Sequence, residues 1–234
     1  MLSPLVVKVL KLMPESVVIK FAQFKMRGYV KKYANLKIDG YEKLKKIDGP
    51  IIFICNHLSN SDGLVLNEVL REDFNPYFVA GVKLEEDFIT RLGTLIVRTI
   101  PIRPNTADKE AITNMVKTVK GGESLLIFPE GTRSRNGAMI EGKKGILLLA
   151  RLTKATVIPI GISGTEKLLP ISMSGDMGGE DWQYADVTIK FGNPVVLDKR
   201  EKDEDKHEYE ERCLTKMMKS IANLLPENYR GVYK

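Results

Sequence analysis

The chain has 234 residues, a formal net charge of +6 and a sequence pI of about 9.1. That length suits one sizeable core, and the positive charge favours anionic partners such as lipid, a phosphorylated substrate or an acidic carrier protein. No nucleic-acid module is visible, and the two histidines and two cysteines are too widely spaced for a metal cluster. We therefore expect no nucleic-acid partner and no bound metal. Cys55 and Cys213 are expected to be reduced core residues in a cytosolic setting, since no secretory signal is apparent.

The N-terminal residues 1–33 combine two apolar groups with seven basic side chains and a single acidic one, Glu15. Pro4 suits a helix start, and Pro14 is expected to divide the segment into two helices. No stretch approaches the ~18 uncharged apolar residues needed to span a bilayer. The pattern predicts two amphipathic helices that lie in the interface of an anionic membrane. The alternative is a helical hairpin that caps the core and keeps its lysines in water.

The remaining sequence alternates apolar runs with amphipathic stretches. Strands are predicted at residues 36–39, 51–55, 77–81, 95–102, 124–128, 156–162 and 187–192. Helices are predicted at residues 62–71, 106–119, 143–153 and 205–225. This order predicts an α/β fold with a mixed, largely parallel sheet flanked by helices. His207 lies in the charged half of the last helix and is expected to be a surface residue.

The most informative segment is Asn-His-Leu-Ser-Asn-Ser-Asp at residues 56–62, directly after the predicted strand 51–55. A short loop lets the carboxylate of Asp62 fold back onto one ring nitrogen of His57, which leaves the other nitrogen free as a general base. Asp62 as a mere helix N-cap, with Asn56 and Ser59 as ordinary loop residues, is the alternative.

A second polar turn, Phe-Pro-Glu-Gly-Thr-Arg-Ser at residues 128–134, follows another apolar run. Ligands of open α/β sheets bind outside the carboxyl ends of the strands, so both turns meet if their strands are parallel neighbours. The guanidinium of Arg133 suits phosphate oxygens. Lys143 and Lys144 add positive charge nearby or are solvated, and the sequence does not decide between the two.

Together these two motifs resemble the glycerolipid acyltransferase family, most closely its 1-acylglycerol-3-phosphate acyltransferases. Ile-Pro-Ile-Arg at residues 100–103 and the proline-containing strand at residues 157–165 stand where that family has its second and fourth motifs. Order and spacing agree from about residue 50 to 170. Pro101 and Pro104 depart from the usual second motif.

The resemblance implies an acyltransferase α/β domain at residues 34–234, preceded by a membrane-binding segment at residues 1–33. His57 and Asp62 would activate the free hydroxyl of lysophosphatidic acid for attack on an acyl thioester of coenzyme A or acyl carrier protein, without a cofactor. The substrate-binding residues implied are Arg103, Glu130, Gly131, Thr132 and Arg133. The expected location is the cytoplasmic face of the membrane, as a peripheral protein.

Two other readings stay open at the level of sequence. The acceptor is glycerol 3-phosphate, another lysophospholipid or an acylated amino acid, or the chain is a non-catalytic module that binds anionic lipid.

Overall fold

The computed structural model describes residues 12–82, 96–104, 106–172 and 180–234. The helices in this part of the chain are α1 (Glu15–Tyr33), α2 (Ser61–Leu70), α3 (Lys109–Lys120), α4 (Gly145–Thr153), the short α5 (Thr165–Leu168) and α6 (Lys206–Ala222). The strands are β1 (Ala34–Asp39), β2 (Ile51–Cys55), β3 (Tyr77–Gly81), β4 (Thr99–Ile102), β5 (Leu125–Ile127), β6 (Thr156–Ser163) and β7 (Ala185–Phe191). Short 3-10 helices lie at Tyr41–Lys46, Glu227–Tyr229 and Gly231–Tyr233.

These strands form one seven-stranded sheet in the order β1-β7-β6-β2-β5-β3-β4. All neighbouring pairs are parallel except β6 with β7. The predicted α/β fold with a mixed, largely parallel sheet is therefore confirmed, and β2 and β5 are the parallel neighbours that the site prediction needs.

Burial on both faces explains why β2 is continuously apolar. Alternate side chains enter different cores: Ile52 and Ile54 pack with α3, α4 and α6, whereas Phe53 and Cys55 pack with α2. The sheet is thus the middle layer of three, and its carboxyl edge is left for loops. Both cysteines are buried and unpaired, as expected.

Local sequence signals account for several helix ends. The Asp108 carboxylate caps α3 by accepting from the Ala111 amide, and the Asp205 carboxylate caps α6 by accepting from the His207 amide. Pro14 precedes α1, as predicted for the second N-terminal helix. The first predicted helix, before Pro14, lies almost wholly outside the described residues. His207 is largely exposed, which agrees with its assignment to the surface.

Helix α1 rests on the domain through one face. Val18, Ala22 and Val30 are buried, the Gln23 side chain donates to the Ile96 carbonyl, and Arg27 pairs with Glu68. Within the described residues, no helix combines the length and apolar character that crossing a membrane requires.

Candidate active site

A histidine and an aspartate lie in contact at the carboxyl end of β2. The His57 Nδ1 atom is 2.7 Å from Asp62 Oδ2, and the Asp62 side chain is fully buried in the first turn of α2. The same oxygen accepts the backbone amides of Leu58 and Ser59 at 2.6 and 2.9 Å. Asn60, not Asp62, occupies the N-cap position of α2. The loop therefore folds back as predicted, and the carboxylate fixes the ring of His57.

The opposite side of the imidazole faces open space. The His57 ring stacks on the Phe128 ring, with centroids 4.0 Å apart and planes inclined by 15°. The His57 side chain is 21% exposed and lines a large cavity. Because Nδ1 is held by Asp62, Nε2 is the ring nitrogen left to exchange a proton with a ligand.

Both backbone groups of His57 are bound by the loop after β5. The His57 amide donates to Glu130 Oε1 at 3.0 Å, and the His57 carbonyl accepts the Ser134 amide at 2.8 Å. Glu130 Oε2 accepts the Ile140 amide at 3.0 Å. These bonds bring the two predicted motifs together and fix the position of the imidazole.

Glu130 itself is 1% exposed and lies behind the cavity wall rather than in it. Burial raises the pKa of its carboxyl from 4.5 to about 7, against the lowering effect of the Ile140 and His57 amides that it accepts. The resemblance implies substrate binding for Glu130, but its side chain does not line the cavity, and both of its oxygens accept backbone amides of the site.

The turn after β5 is built by its proline and glycine. The Gly131 amide donates to the Phe128 carbonyl, with Pro129 at the second position of the turn. Gly131 has φ of +69°, and a Cβ there would stand 2.9 Å from the Lys143 side chain. The positive φ therefore favours glycine on conformational grounds, whereas the flexible end of the Lys143 side chain could move away from a Cβ. Gly131, Thr132 and Arg133, which the resemblance assigns to substrate binding, all line the cavity.

Four basic side chains join the lining: Lys25, Arg103, Arg133 and Lys143. Arg133 is 24% exposed, and its Nη1 atom is 3.4 Å from Glu180 Oε1. Arg103 follows β4, and its backbone amide donates to Asp108. Lys143, which the sequence left undecided, is also in the lining, whereas Lys144 pairs with Glu211 on the outside.

The cavity has a volume of about 1040 Å³, which is large for a small-molecule site. Its walls come from both faces of the sheet edge. One part is lined from α1 by Val18, Phe21 and Ala22, and another from α3 and α4 by Ile112, Met115, Ile146 and Leu149. The sequence could not separate these residues from the core, because apolar periodicity looks the same whether a side chain faces a neighbour or a cavity.

Two further polar residues of the first motif hold the scaffold. The Asn56 side-chain amide donates to the Ile162 carbonyl, and its oxygen accepts the Ile162 amide, so it pairs with the end of β6 like a strand residue. The Ser59 hydroxyl donates to the Leu169 carbonyl. The sequence missed Glu180, which binds Asn60 and Arg133 but belongs to no recognised pattern. In the described part of the chain, no cluster of histidine, cysteine and carboxylate side chains is suited to a metal ion.

Curated relatives carry one name repeatedly. The chloroplastic 1-acyl-sn-glycerol-3-phosphate acyltransferase BAT2 of Brassica napus is 25% identical over 166 residues, which cover 66% of this chain and 43% of that protein. The 1-acyl-sn-glycerol-3-phosphate acyltransferase of Limnanthes douglasii is 33% identical over 153 residues, which cover 63% of this chain and 50% of that protein. The chain thus spans about half the length of these curated relatives.

A solved structure shares the fold. The crystal structure of the 1-acyl-sn-glycerophosphate acyltransferase PlsC from Thermotoga maritima aligns with a TM-score of 0.61 at 20% identity, over 93% of this chain and 86% of that one. The family model described as Acyltransferase matches residues 35–163, more than half of the sequence, and includes both loops that build the site. The chain therefore belongs to the Acyltransferase family.

Proposed function

We propose that the chain transfers an acyl group from an acyl thioester to the free hydroxyl of 1-acylglycerol 3-phosphate, which gives phosphatidic acid. The observation that carries the proposal is the His57–Asp62 pair, which opens onto a large apolar cavity that Arg133 also lines. The names of the relatives from Brassica napus and Limnanthes douglasii support this choice of acceptor.

The proposed chemistry is a direct attack. His57 Nε2 removes the proton of the acceptor hydroxyl as that oxygen bonds to the thioester carbonyl carbon. The carbon–sulfur bond then breaks, and the imidazolium returns the proton to the leaving thiolate, so no acyl-enzyme forms. Asp62 holds the proton-bearing Nδ1 and stabilises the imidazolium, as the carboxylate does in a serine hydrolase triad.

Two arginines of the lining are assigned to the acceptor's phosphate. Arg133 and Arg103 line the same cavity as His57, and so do Gly131 and Thr132. Guanidinium groups match phosphate oxygens through paired N–H donors. Glu130 is assigned a supporting role, because it holds the backbone of His57 from behind.

The acyl donor is assigned by class only: a thioester of coenzyme A or of acyl carrier protein, which acts as co-substrate. A thioester already carries a good leaving group, and a bound cofactor is not required in this scheme. Bringing base, hydroxyl and thioester together in one cavity supplies a large part of the rate enhancement.

Residues 1–33 are proposed to bind the membrane, and residues 34–234 to form the acyltransferase domain. Helix α1 supports this division, because its outward face combines exposed Val17 and Phe24 with Lys20 and Lys31. Exposed apolar side chains beside lysines suit the interface of an anionic leaflet. The protein would then act as a peripheral enzyme on the cytoplasmic face, and a lipid acceptor would reach the cavity along the wall that α1 supplies.

The test is thiol release from an acyl thioester by the purified protein in anionic vesicles, with lysophosphatidic acid present or absent. Donors are a coenzyme A thioester and an acyl carrier protein thioester, each tried separately. We expect acceptor-dependent release, and we expect His57→Ala to abolish it while the unfolding temperature stays the same.

Other results point elsewhere. Release that needs glycerol 3-phosphate or another lysophospholipid would change the acceptor and keep the chemistry. Lipid binding without any release would replace the enzyme with a lipid-binding module.

A further inference from the structure

Glu180 is a buried carboxylate that has no role in the proposed reaction. It lies beside Arg133, the side chain assigned to the acceptor's phosphate. The Glu180 side chain is 2% exposed. Its Oε2 atom accepts the Asn60 side-chain amide at 2.7 Å, and its Oε1 atom is 3.4 Å from both Arg133 Nη1 and the Ser172 amide. A carboxylate is buried only where donors compensate it, so these contacts define a built position rather than a chance approach.

The two side chains that Glu180 joins belong to the two halves of the site. Asn60 lies in the loop between His57 and Asp62, and Arg133 lies in the loop after β5. Glu180 therefore connects the loop that carries the proposed base to the side chain assigned to the acceptor's phosphate. An arginine has five N–H donors, so the contact with Glu180 leaves others for a phosphate.

The segment that carries Glu180 is itself held in place. The Trp182 ring stacks on the Tyr29 ring of α1, with centroids 5.7 Å apart and planes inclined by 24°. The Gln183 amide donates to the Leu168 carbonyl at 2.8 Å. Contacts with α1 and α5 therefore fix the segment that carries Glu180. Its carboxylate is thus held in one position beside Arg133.

We propose that Glu180 is a positioning residue that orders the Arg133 guanidinium for a phosphorylated acyl acceptor. This inference rests on the proposed function, because it assigns Arg133 to the acceptor's phosphate. Without the carboxylate, the long Arg133 side chain samples several rotamers, and the phosphate must order it at the moment of binding. Glu180 acts through Arg133, so its effect depends on the presence of that arginine and on the charge of the acceptor.

The experiment compares wild type with Glu180→Ala, Glu180→Gln, Arg133→Ala and the double variant. Initial rates are measured in micelles against lysophosphatidic acid and against uncharged monoacylglycerol. We expect Glu180→Ala to raise the KM for lysophosphatidic acid about tenfold with little change in kcat, as loss of a hydrogen bond to a charged group implies. Glu180→Gln keeps one acceptor oxygen, so its KM should lie between that of wild type and that of Glu180→Ala. In the Arg133→Ala background, Glu180→Ala should have no further effect.

The matched control is Glu123→Ala. It also removes a carboxylate from an arginine, Arg98, but in a part of the surface that does not line the cavity. Its KM should equal that of wild type. Two results would overturn the inference: a fall in kcat at constant KM for Glu180→Ala, or KM effects of the two single changes that multiply in the double variant.

A second readout does not need turnover. Trp182 is the only tryptophan of the chain and lines the cavity, so its fluorescence reports occupancy. Titration with lysophosphatidic acid should give a Kd that rises in Glu180→Ala and in Arg133→Ala alike, and monoacylglycerol should bind all variants equally. If wild type shows no thiol release, the proposed function fails and this titration still decides the role of Glu180. An unchanged Kd in a folded Glu180→Ala or Glu180→Gln variant refutes it.

Discussion

The His57–Asp62 contact sets which ring nitrogen can accept a proton. Asp62 Oδ2 takes a hydrogen bond from Nδ1 and two more from backbone amides. A carboxylate can only accept hydrogen bonds, so the hydrogen of a neutral imidazole resides on Nδ1 and Nε2 is the basic atom. The whole proposed reaction depends on this choice of tautomer.

Replacing Asp62 by asparagine should remove the negative charge beside the imidazole. The asparagine oxygen takes the place of Oδ2, because that position accepts the Leu58 and Ser59 amides as well as Nδ1–H. The tautomer then stays the same, but the imidazolium loses the carboxylate that stabilises it. We expect kcat to fall by about 10²- to 10⁴-fold with little change in KM, measured as acceptor-dependent thiol release. Asp73→Asn, which removes a carboxylate bonded to the Tyr41 hydroxyl away from the cavity, is the control and should retain full activity. Equal rates for the two variants would remove Asp62 from the mechanism.

Glu130 is predicted to make stability depend on pH. Burial raises its folded-state pKa to about 7, compared with 4.5 in the unfolded chain. Between these values the folded protein keeps a proton that the unfolded chain releases, so the stabilisation is complete below about pH 4.5 and is lost as the pH rises to about 7. The contribution of this carboxyl to the free energy of unfolding should therefore fall by on the order of 3 kcal/mol across that window.

Urea unfolding between about pH 5 and pH 8 tests this, with Glu130→Gln as the variant that cannot titrate. The unfolding free energy of wild type minus that of Glu130→Gln should fall as the pH rises, by the amount that wild type loses. Glu123→Gln, at an exposed carboxylate paired with Arg98, serves as the control. A difference that stays constant across the range contradicts the assignment of a raised pKa to Glu130.

At the scale of single elements, helix α1 has two different faces. One face packs on the domain through Val18, Ala22 and Val30, and the other presents Phe24, which is 74% exposed, between Lys20 and Lys31. A large apolar side chain that stands in water beside cations suits the interface of an anionic leaflet, which would cover it. The proposed cover is the membrane interface.

Phe24→Ser should therefore weaken vesicle binding without disturbing the fold. Burial of a phenylalanine side chain contributes about 1.5–3 kcal/mol, so we expect the partition coefficient on phosphatidylglycerol vesicles to fall at least about tenfold. Co-sedimentation measures it. Val196→Ser, which changes an apolar residue that is 72% exposed in the loop after β7, should bind like wild type. Unaltered sedimentation of Phe24→Ser would mean that α1 only caps the core.

How well the sequence predicts an element depends on how that element is buried. Strand β2 is apolar on both faces, and its prediction at residues 51–55 agrees with the structure residue for residue. Helix α4 was predicted two residues early, because Lys143 belongs to the loop over Gly131 although it favours helices. The short α5 and the 3-10 helices carry no periodic pattern, and they were missed for that reason.

The candidate site likewise has one part that the sequence predicts and another that it does not. The contact of His57 with Asp62 was predictable, because five residues of chain confine the pair to one loop. The partners of Glu130 were not, since the Ile140 amide and the His57 amide are brought to it by the sheet and not by a motif. Glu180 lies 120 residues from Asn60, and only the tertiary structure relates them.

At the scale of the whole molecule, the end of the chain supports the loop after β5. The Met139 amide donates to the Tyr229 carbonyl, and the Gly142 amide donates to the Tyr233 hydroxyl at 2.9 Å. Met139 is itself buried. The C-terminal turns thus hold the far side of the same loop whose near side binds His57.

Tyr233→Phe should lower the free energy of unfolding by about 1 kcal/mol, because the Gly142 amide loses its acceptor while the ring still packs. Thermal unfolding measures the change. The control is Tyr184→Phe, which removes the hydroxyl of a tyrosine that is 72% exposed and should leave the unfolding temperature unaltered. A destabilisation of the same size in both variants would show that the hydroxyl of Tyr233 has no special role.

The two hydrogen bonds between the His57 backbone and the loop after β5 also determine when the site can form during synthesis of the chain. The partners of this residue, Glu130 and Ser134, are synthesised long after it, and Glu130 is 73 residues away. A growing chain therefore contains the complete His-x4-Asp sequence well before the residues that fix the position of His57 have been synthesised. Fragments that end before Ser134 should be inert towards thioesters, and activity should emerge together with the pairing of β2 and β5.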